Sequence, residues 1–368
     1  MIEGKLRILL RCREERVGSV EIISTRPQIS GRLLEGDRVS QALSKVPVIY
    51  SLCRQAQSLA ATLAQGAIEG GEPPPGLIQQ ARLEALQEHL WRFFIDLPVT
   101  LGKVPLLSPF APIRQQILQQ IKALDAAPLY NAPLPWWQAL REAVEGGLLE
   151  YRLADCCGQG LTHWQQWLAS SRAPLGDMLR CLGECLPTAE APILMQPSLM
   201  GLDADALPEL VTLLESHEGY GAQPWLAGGH PEAGAIVRHR DHPLVSALRG
   251  QGALVLARLV ARLLEIDRLL DPAQALAMGS FARGEDGAAG WVETARGILL
   301  HRLEIRQGRV HRYQVVAPTE WNFHPEGPLV QAVLALPAAN LERLRQQVQL
   351  IGLSLDPCVG FEVEVCNA

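Results

Sequence analysis

Prolines and glycines, 26 and 32 of them in 368 residues, are spread along the whole of this chain and cut it into many short elements. Proline breaks a helix interior and glycine commonly ends one. No apolar run between them reaches the roughly 20 residues of a membrane span. With 48% hydrophobic and 20% charged residues, the chain has material for one large core or two modest domains. The net charge is −6 and no Lys/Arg cluster persists, so a nucleic-acid footprint is absent. Charges inside the first apolar stretch, MIEGKLRILLRC, do not read as a signal peptide. Eight cysteines without an export signal point to thiols in a reducing compartment. The expectation is a soluble, cytoplasmic protein without membrane insertion.

Periodicity predicts an α+β fold, mainly α. Residues 5–11 and 17–24 alternate like strands around the charged turn Arg13-Glu14-Glu15-Arg16, with Ile8, Val20 and Ile22 inward. From about Asp37 the period becomes helical. Ile49, Leu52, Cys53, Ala56, Leu59, Ala60, Leu63 and Ala67 form one apolar stripe, which Gly70-Gly71 closes. After the stiff Pro73-Pro74-Pro75, a second helix runs from Leu77 to about Phe94, and its Trp91, Phe93 and Phe94 read as core. Residues 98–230 read as broken helices, 243–270 as one long helix bearing Arg258 and Arg262, and the Gly-rich 281–290 as mobile. Residues 297–306 and 309–317 form a second hairpin around Gln307-Gly308. Residues 329–336 and 341–351 read as helical, and the tail from Ser354 as irregular or extended.

The pairs Cys156-Cys157 and Cys181/Cys185 could suggest a metal site. No second ligand pair lies at zinc-site spacing, so they read as ordinary buried or surface thiols. His301 and His324 read as structural histidines.

Four separated segments, in order, resemble the large subunit of nickel–iron hydrogenases. Ile2-Glu3-Gly4-Lys5-Leu6-Arg7-Ile8 is similar to that family's opening motif. The segment through Cys53 resembles its Cys-x-x-Cys-x-x-x-His helix. Glu293-Thr294-Ala295-Arg296-Gly297, His301 and Pro318-Thr319-Glu320-Trp321-Asn322 resemble its later Glu-Ala-Pro-Arg-Gly-x-Leu-x-His and Pro-Thr/Ser-Thr-Trp-Asn motifs. Asp356-Pro357-Cys358 resembles its C-terminal Asp-Pro-Cys-x-x-Cys-x-x-His. A weaker fifth match is Glu232-Ala233-Gly234-Ala235-Ile236-Val237-Arg238. Residues 98–230 have no counterpart.

The resemblance implies a site where four thiolates hold nickel and iron, the iron also bearing cyanide and carbon monoxide. Here Tyr50 and Phe361 stand at two of the four cysteine positions, and Cys53 and Cys358 at the other two. Soft thiolates suit both metals. A phenol or a phenyl ring cannot bridge them, so neither a nickel–iron pair nor hydrogen turnover is expected. Arg296 stands at the arginine beside the cyanides and Thr319 at a hydroxyl donor to one. Both groups suit the nitrogen end of an anionic ligand in a dry site. Glu3 stands at the proton-relay glutamate and Gln57 at the first motif's histidine. Gly31 and Glu364 replace the magnesium ligands. Four residues follow Glu364, too few for the cleavable extension of large-subunit precursors.

These features are similar to hydrogenase assembly proteins of the HupK/HoxV type. They imply a single hydrogenase-large-subunit-like domain over 1–368, with 98–230 a variable helical region. The implied function is a non-catalytic scaffold that transiently carries iron with cyanide and carbon monoxide ligands, without nickel. Cys53 and Cys358 would be the metal ligands, and Arg296, Thr319 and Glu3 would contact the cofactor. The implied partners are the maturation complex and the hydrogenase large subunit. Plainer readings stay open: Cys53 as a core thiol, Cys358 as a buried thiol after an Asp-Pro turn, Arg296 as the ion-pair partner of Glu293, Glu3 as a hairpin cap. Together they would make a metal-free docking or structural subunit. The iron reading requires Cys53 and Cys358 to converge, with Arg296, Tyr50 and Phe361 around them and the N-terminal hairpin beside the C-terminal tail.

Overall fold

The computed structural model describes residues 4–26, 30–127, 132–158, 160–186 and 202–367. The fold is α+β and mainly α, with two small sheets. In the first, strands β1 (Leu6–Arg13) and β2 (Arg16–Ser24) form the N-terminal hairpin. Glu14 and Glu15 turn it with φ of 52° and 59°, the left-handed values that a two-residue hairpin turn needs. Strands β3 (Met278–Arg283), β4 (Gly287–Thr294), β5 (Gly297–Arg306) and β6 (Arg309–Val316) form a second, antiparallel sheet in sequence order. The last strand, β7 (Phe361–Asn367), pairs in parallel with β1, Leu6 opposite Phe361, and so completes the first sheet. The tail is extended as expected, and it joins the N-terminal hairpin.

The glycine-rich 281–290 segment is not a mobile loop. It supplies parts of β3 and β4, and its small residues serve close packing. Helix Arg54–Glu69 lies across β4 and β5. A Cβ at Gly290 would come within 2.2 Å of Ala60 O and 2.4 Å of Ala64 N. Glycine is therefore the residue that lets the helix backbone rest directly on the strand.

Two helices expected to be continuous are broken. The apolar stripe through residue 67 belongs to two helices, Val39–Ile49 and Arg54–Glu69, with Tyr50, Ser51, Leu52 and Cys53 between them. Pro47 lies in the last turn of the first. Glu84 starts the second from outside, its carboxylate accepting from the N–H groups of Gln55 and Ala56, both at 3.0 Å. Residues 243–270 likewise divide into Pro243–Gly250 and Leu254–Leu269. Gly252, at φ 74°, turns the chain, and Ala253 N donates back to Leu248 O at 2.9 Å. The helix Pro75–Trp91 runs on through a π turn, Arg92–Asp96. Phe93 and Phe94 are fully buried, whereas Trp91 is 37% exposed.

Cys156 and Cys157 are buried in the main core, and Cys181 and Cys185 pack against it. All eight cysteines are free thiols. No helix among the described residues is long and apolar enough to cross a membrane.

Because Gly290 sits under a helix backbone, Gly290→Val should cost about 3 kcal/mol by overpacking. Gly250→Ala, where an added Cβ meets nothing within 4 Å, should stay within about 0.5 kcal/mol. Urea unfolding of the two variants checks the contrast.

Candidate metal-complex site

A cavity of about 310 Å³ is lined by Tyr50, Cys53, Gln57, Arg296, Thr319 and Cys358. Four of the five residues singled out for the site therefore share one space. The fifth, Glu3, lies outside the described residues. The elements that bring the four together come from opposite ends of the sequence, and buried polar contacts hold them.

Cys358 is placed by Asp356. Helix Leu341–Leu355 ends at Asp356, which takes the left-handed conformation at φ 57°. Its carboxylate is fully buried. Arg262 Nη1 donates to it at 2.8 Å, Arg92 Nε donates to its other oxygen, and Arg296 Nε lies 3.6 Å from that oxygen. The three guanidiniums hold the carboxyl well below the ordinary carboxylate range despite its burial. Arg92 also donates to Pro357 O at 3.1 Å. The chain entering Cys358 is thus fixed at both the side chain and the backbone.

Arg296 sits in the turn between β4 and β5. Thr294 Oγ1 accepts from Arg296 N at 3.1 Å and donates to Gly297 O at 2.8 Å. Gly297 is at φ 122°, and a Cβ there would lie 2.7 Å from Ala233. The guanidinium donates Nη2 to Glu88 at 2.6 Å and sets Nε toward Asp356. Glu293 pairs instead with Arg238, so the Arg296–Glu293 pairing left open by the sequence is not made. Among the described residues, nothing accepts a hydrogen bond from Arg296 Nη1.

Thr319 is buried, and its hydroxyl oxygen accepts from Cys358 N at 3.2 Å. Among the described residues, its own proton has no acceptor. Asn322, one turn on, accepts from Ala233 N at 2.8 Å and donates to Ala233 O and Leu355 O at 2.9 and 3.0 Å. Arg258 adds a buried double contact to Glu232 at 2.7 and 2.8 Å. These bonds lock the 232–238 segment, the Thr319 turn and the approach to Cys358 into one frame.

Cys53 occupies the position just before helix Arg54–Glu69. It does not lie within the helical stripe. A hydrogen-bonded chain reaches its sulfur: Tyr313 OH to His301 Nδ1 at 2.6 Å, His301 Nε2 to Gln57 Oε1 at 2.7 Å, and Gln57 Nε2 to Cys53 Sγ at 3.4 Å. Burial lowers His301 to about 3, so the ring is neutral and donates from Nε2. Desolvation first, then the carboxylate of Glu84, pushes the Cys53 thiol up to about 12. The nearby Cys358 acts in the same direction, and the Gln57 and Arg296 contacts only partly offset the rise. A metal bound here must displace a proton.

Phe361 does not line the cavity. Its ring packs over Gly352, where an added Cβ would be 2.7 Å away, and lies 6.4 Å from the Phe323 ring. The start of β7 needs that apolar cover more than the cavity does. Tyr50 is the one of the two replacing side chains that faces the thiols.

Residues 252–363 match the nickel-dependent hydrogenase family. The whole chain is similar to the hydrogenase expression/formation protein HupK of Azotobacter vinelandii, at 31% identity over 99% of each chain. It is also similar to HoxV of Cupriavidus necator, at 29% identity over 94% of this chain and 93% of that one. This chain belongs to the HupK/HoxV family of hydrogenase expression/formation proteins. The nickel–iron–selenium hydrogenase of Desulfovibrio vulgaris Hildenborough shares the fold, with a TM-score of 0.57 at 16% identity over 94% of each chain.

In this HupK/HoxV protein the sequence marked both thiols, Arg296 and Thr319, but not the residues that position them. Arg92, Glu84 and Glu88 come from a helix that reads only as amphipathic. A signal existed in their spacing: Glu84, Glu88 and Arg92 recur every four residues and so share one helical face. Gln57 could be tied to His301 only once both were placed.

Removing the Asp356 charge would leave three guanidiniums without their common acceptor. Asp356→Asn should cost about 3–5 kcal/mol near neutral pH. The aspartate's contribution is present above its unfolded value of about 3.9 and fades as pH falls from there toward the depressed folded value. The gap between wild type and variant should therefore narrow below about pH 4. Denaturation midpoints across pH check both the size and the narrowing.

Proposed function

We propose that this protein is a non-catalytic scaffold in nickel–iron hydrogenase assembly. It carries an iron–cyanide–carbonyl unit transiently, between the maturation proteins that build it and the hydrogenase large subunit. The observation that carries the reading is the incomplete donor set. Two thiols line one cavity, and among the described residues no group of three or more His, Cys, Asp or Glu side chains is placed to hold a metal ion. A metal retained by two thiolates needs its other positions filled by ligands it brings along. Arg296 and Thr319 supply donors suited to such ligands, and both have a hydrogen without an acceptor among the described residues.

The same donor set argues for carriage over turnover. Tyr50 fills one side of the cavity where a second metal would need a thiolate. Two protein ligands hold a complex less firmly than four, which suits release. Leu33, Val48 and Leu52 line the cavity and remain 44%, 78% and 43% exposed. Such an apolar border suits a maturation protein that covers the opening during transfer.

Protein purified without oxygen after co-expression with the maturation proteins should contain substoichiometric iron and almost no nickel. Its infrared spectrum should show cyanide and carbonyl bands, and Cys53→Ala or Cys358→Ala should each remove them. Stoichiometric nickel or hydrogen oxidation would contradict the reading. Iron-free protein that still binds the maturation proteins would favour the metal-free docking subunit.

A further inference from the structure

A second guanidinium lines the cavity that holds the two thiols. Arg26 lines the same cavity as Cys53, Cys358 and Arg296. Its side chain is 16% exposed and pairs at 2.6 Å with Glu320, itself 11% exposed. The backbone at Arg26 is fixed against Gly4, where a Cβ would lie 2.5 Å from Arg26 N and Cα. Gly4 immediately precedes Lys5 and β1, so the contact that seats the first sheet also sets this cation.

The charges lining the cavity are unusual for a site that receives metal. Among the described residues that line it, Arg26 and Arg296 are the two cations and Glu320 is the one carboxylate. A bare divalent cation entering here meets two guanidiniums and only two soft donors. A metal complex with anionic outer ligands meets the same two thiols and two cations able to face those ligands. Arg26 and both thiols line this one space, with Glu320 paired to the guanidinium at 2.6 Å.

We propose that Arg26 is the specificity residue of this site, making the dithiol cavity a receptor for an anionic metal complex in preference to the bare metal ion. The proposal rests on the carrier reading and adds the charge class of the cargo. Glu320 is then a positioning residue, holding Arg26 in the cavity wall. Arg26, Thr319 and Glu320 also line an outer groove with Trp225, His230 and His324. Loss of the side chain could therefore open the wall, and the test needs a conservative substitution.

The experiment titrates the purified full chain, without oxygen, with two probes. One is a synthetic iron(II) dianion bearing two cyanides, two carbonyls and two labile halides, which two thiolates can displace; the other is Fe(II) alone. Calorimetry gives the dissociation constants, and infrared bands report the environment of the bound dianion. Wild type should prefer the dianion. Arg26→Met should weaken dianion binding tenfold or more, shift its cyanide bands and leave Fe(II) binding equal or tighter. Arg26→Lys should keep most of the preference. An unchanged preference in Arg26→Met overturns the proposal, and so does an equal loss of both probes with a lowered melting temperature. Wild type that binds neither probe removes the receptor and with it both readings. Wild type that binds the dianion, yet is isolated iron-free after co-expression, keeps the Arg26 role and removes the carrier reading.

Discussion

The buried carboxylate of Asp356 is the contact on which the arrangement depends. It joins a helix end, a π turn, a β-turn arginine and a long core helix through Arg92, Arg296 and Arg262. An isolated buried carboxylate is costly, and so is each isolated buried guanidinium. Together their charges compensate one another, and they can do so only when all four elements are in place. The same carboxylate orients Arg296 and sets the direction in which the chain leaves toward Cys358. Fold and site therefore share one electrostatic centre.

Around that centre, the HupK/HoxV chain builds a rigid frame for the cavity that the two thiols line. Asn322 and the Arg258–Glu232 pair hold three matched segments in register. Gly297 lets the arginine turn press against Ala233. None of these residues is among those lining the cavity; they act on the frame. Tyr50 and Phe361 both fit within this frame. Tyr50 lies 6.3 Å from the His301 ring at the cavity edge, and Phe361 serves the packing of β7.

Local features of the fold were legible in the sequence. Both hairpins follow from alternation and a two-residue turn, and the helices near the C-terminus follow from their period. Long-range consequences were not. Ala288, Ala289 and Gly290 read as a mobile stretch because nothing local announces the helix that rests on them. Tyr50 and Gly252 break apolar patterns that continue through them, since Glu84 and a backbone turn decide those ends. The parallel pairing of β7 with β1 joins residues some 350 positions apart. At the site, motifs located the thiols, Arg296 and Thr319, whereas Arg26, Glu84 and Glu88 gained meaning only from their placement.

In the carrier reading the protein contributes two sulfurs and the cargo contributes the remaining ligands. Iron K-edge X-ray absorption on anaerobically isolated, iron-bearing protein counts those ligands directly. Two sulfur scatterers are expected, with the remaining positions filled by carbon from linear diatomic ligands. Iron surrounded by four sulfurs, or by oxygen and nitrogen alone, would contradict it.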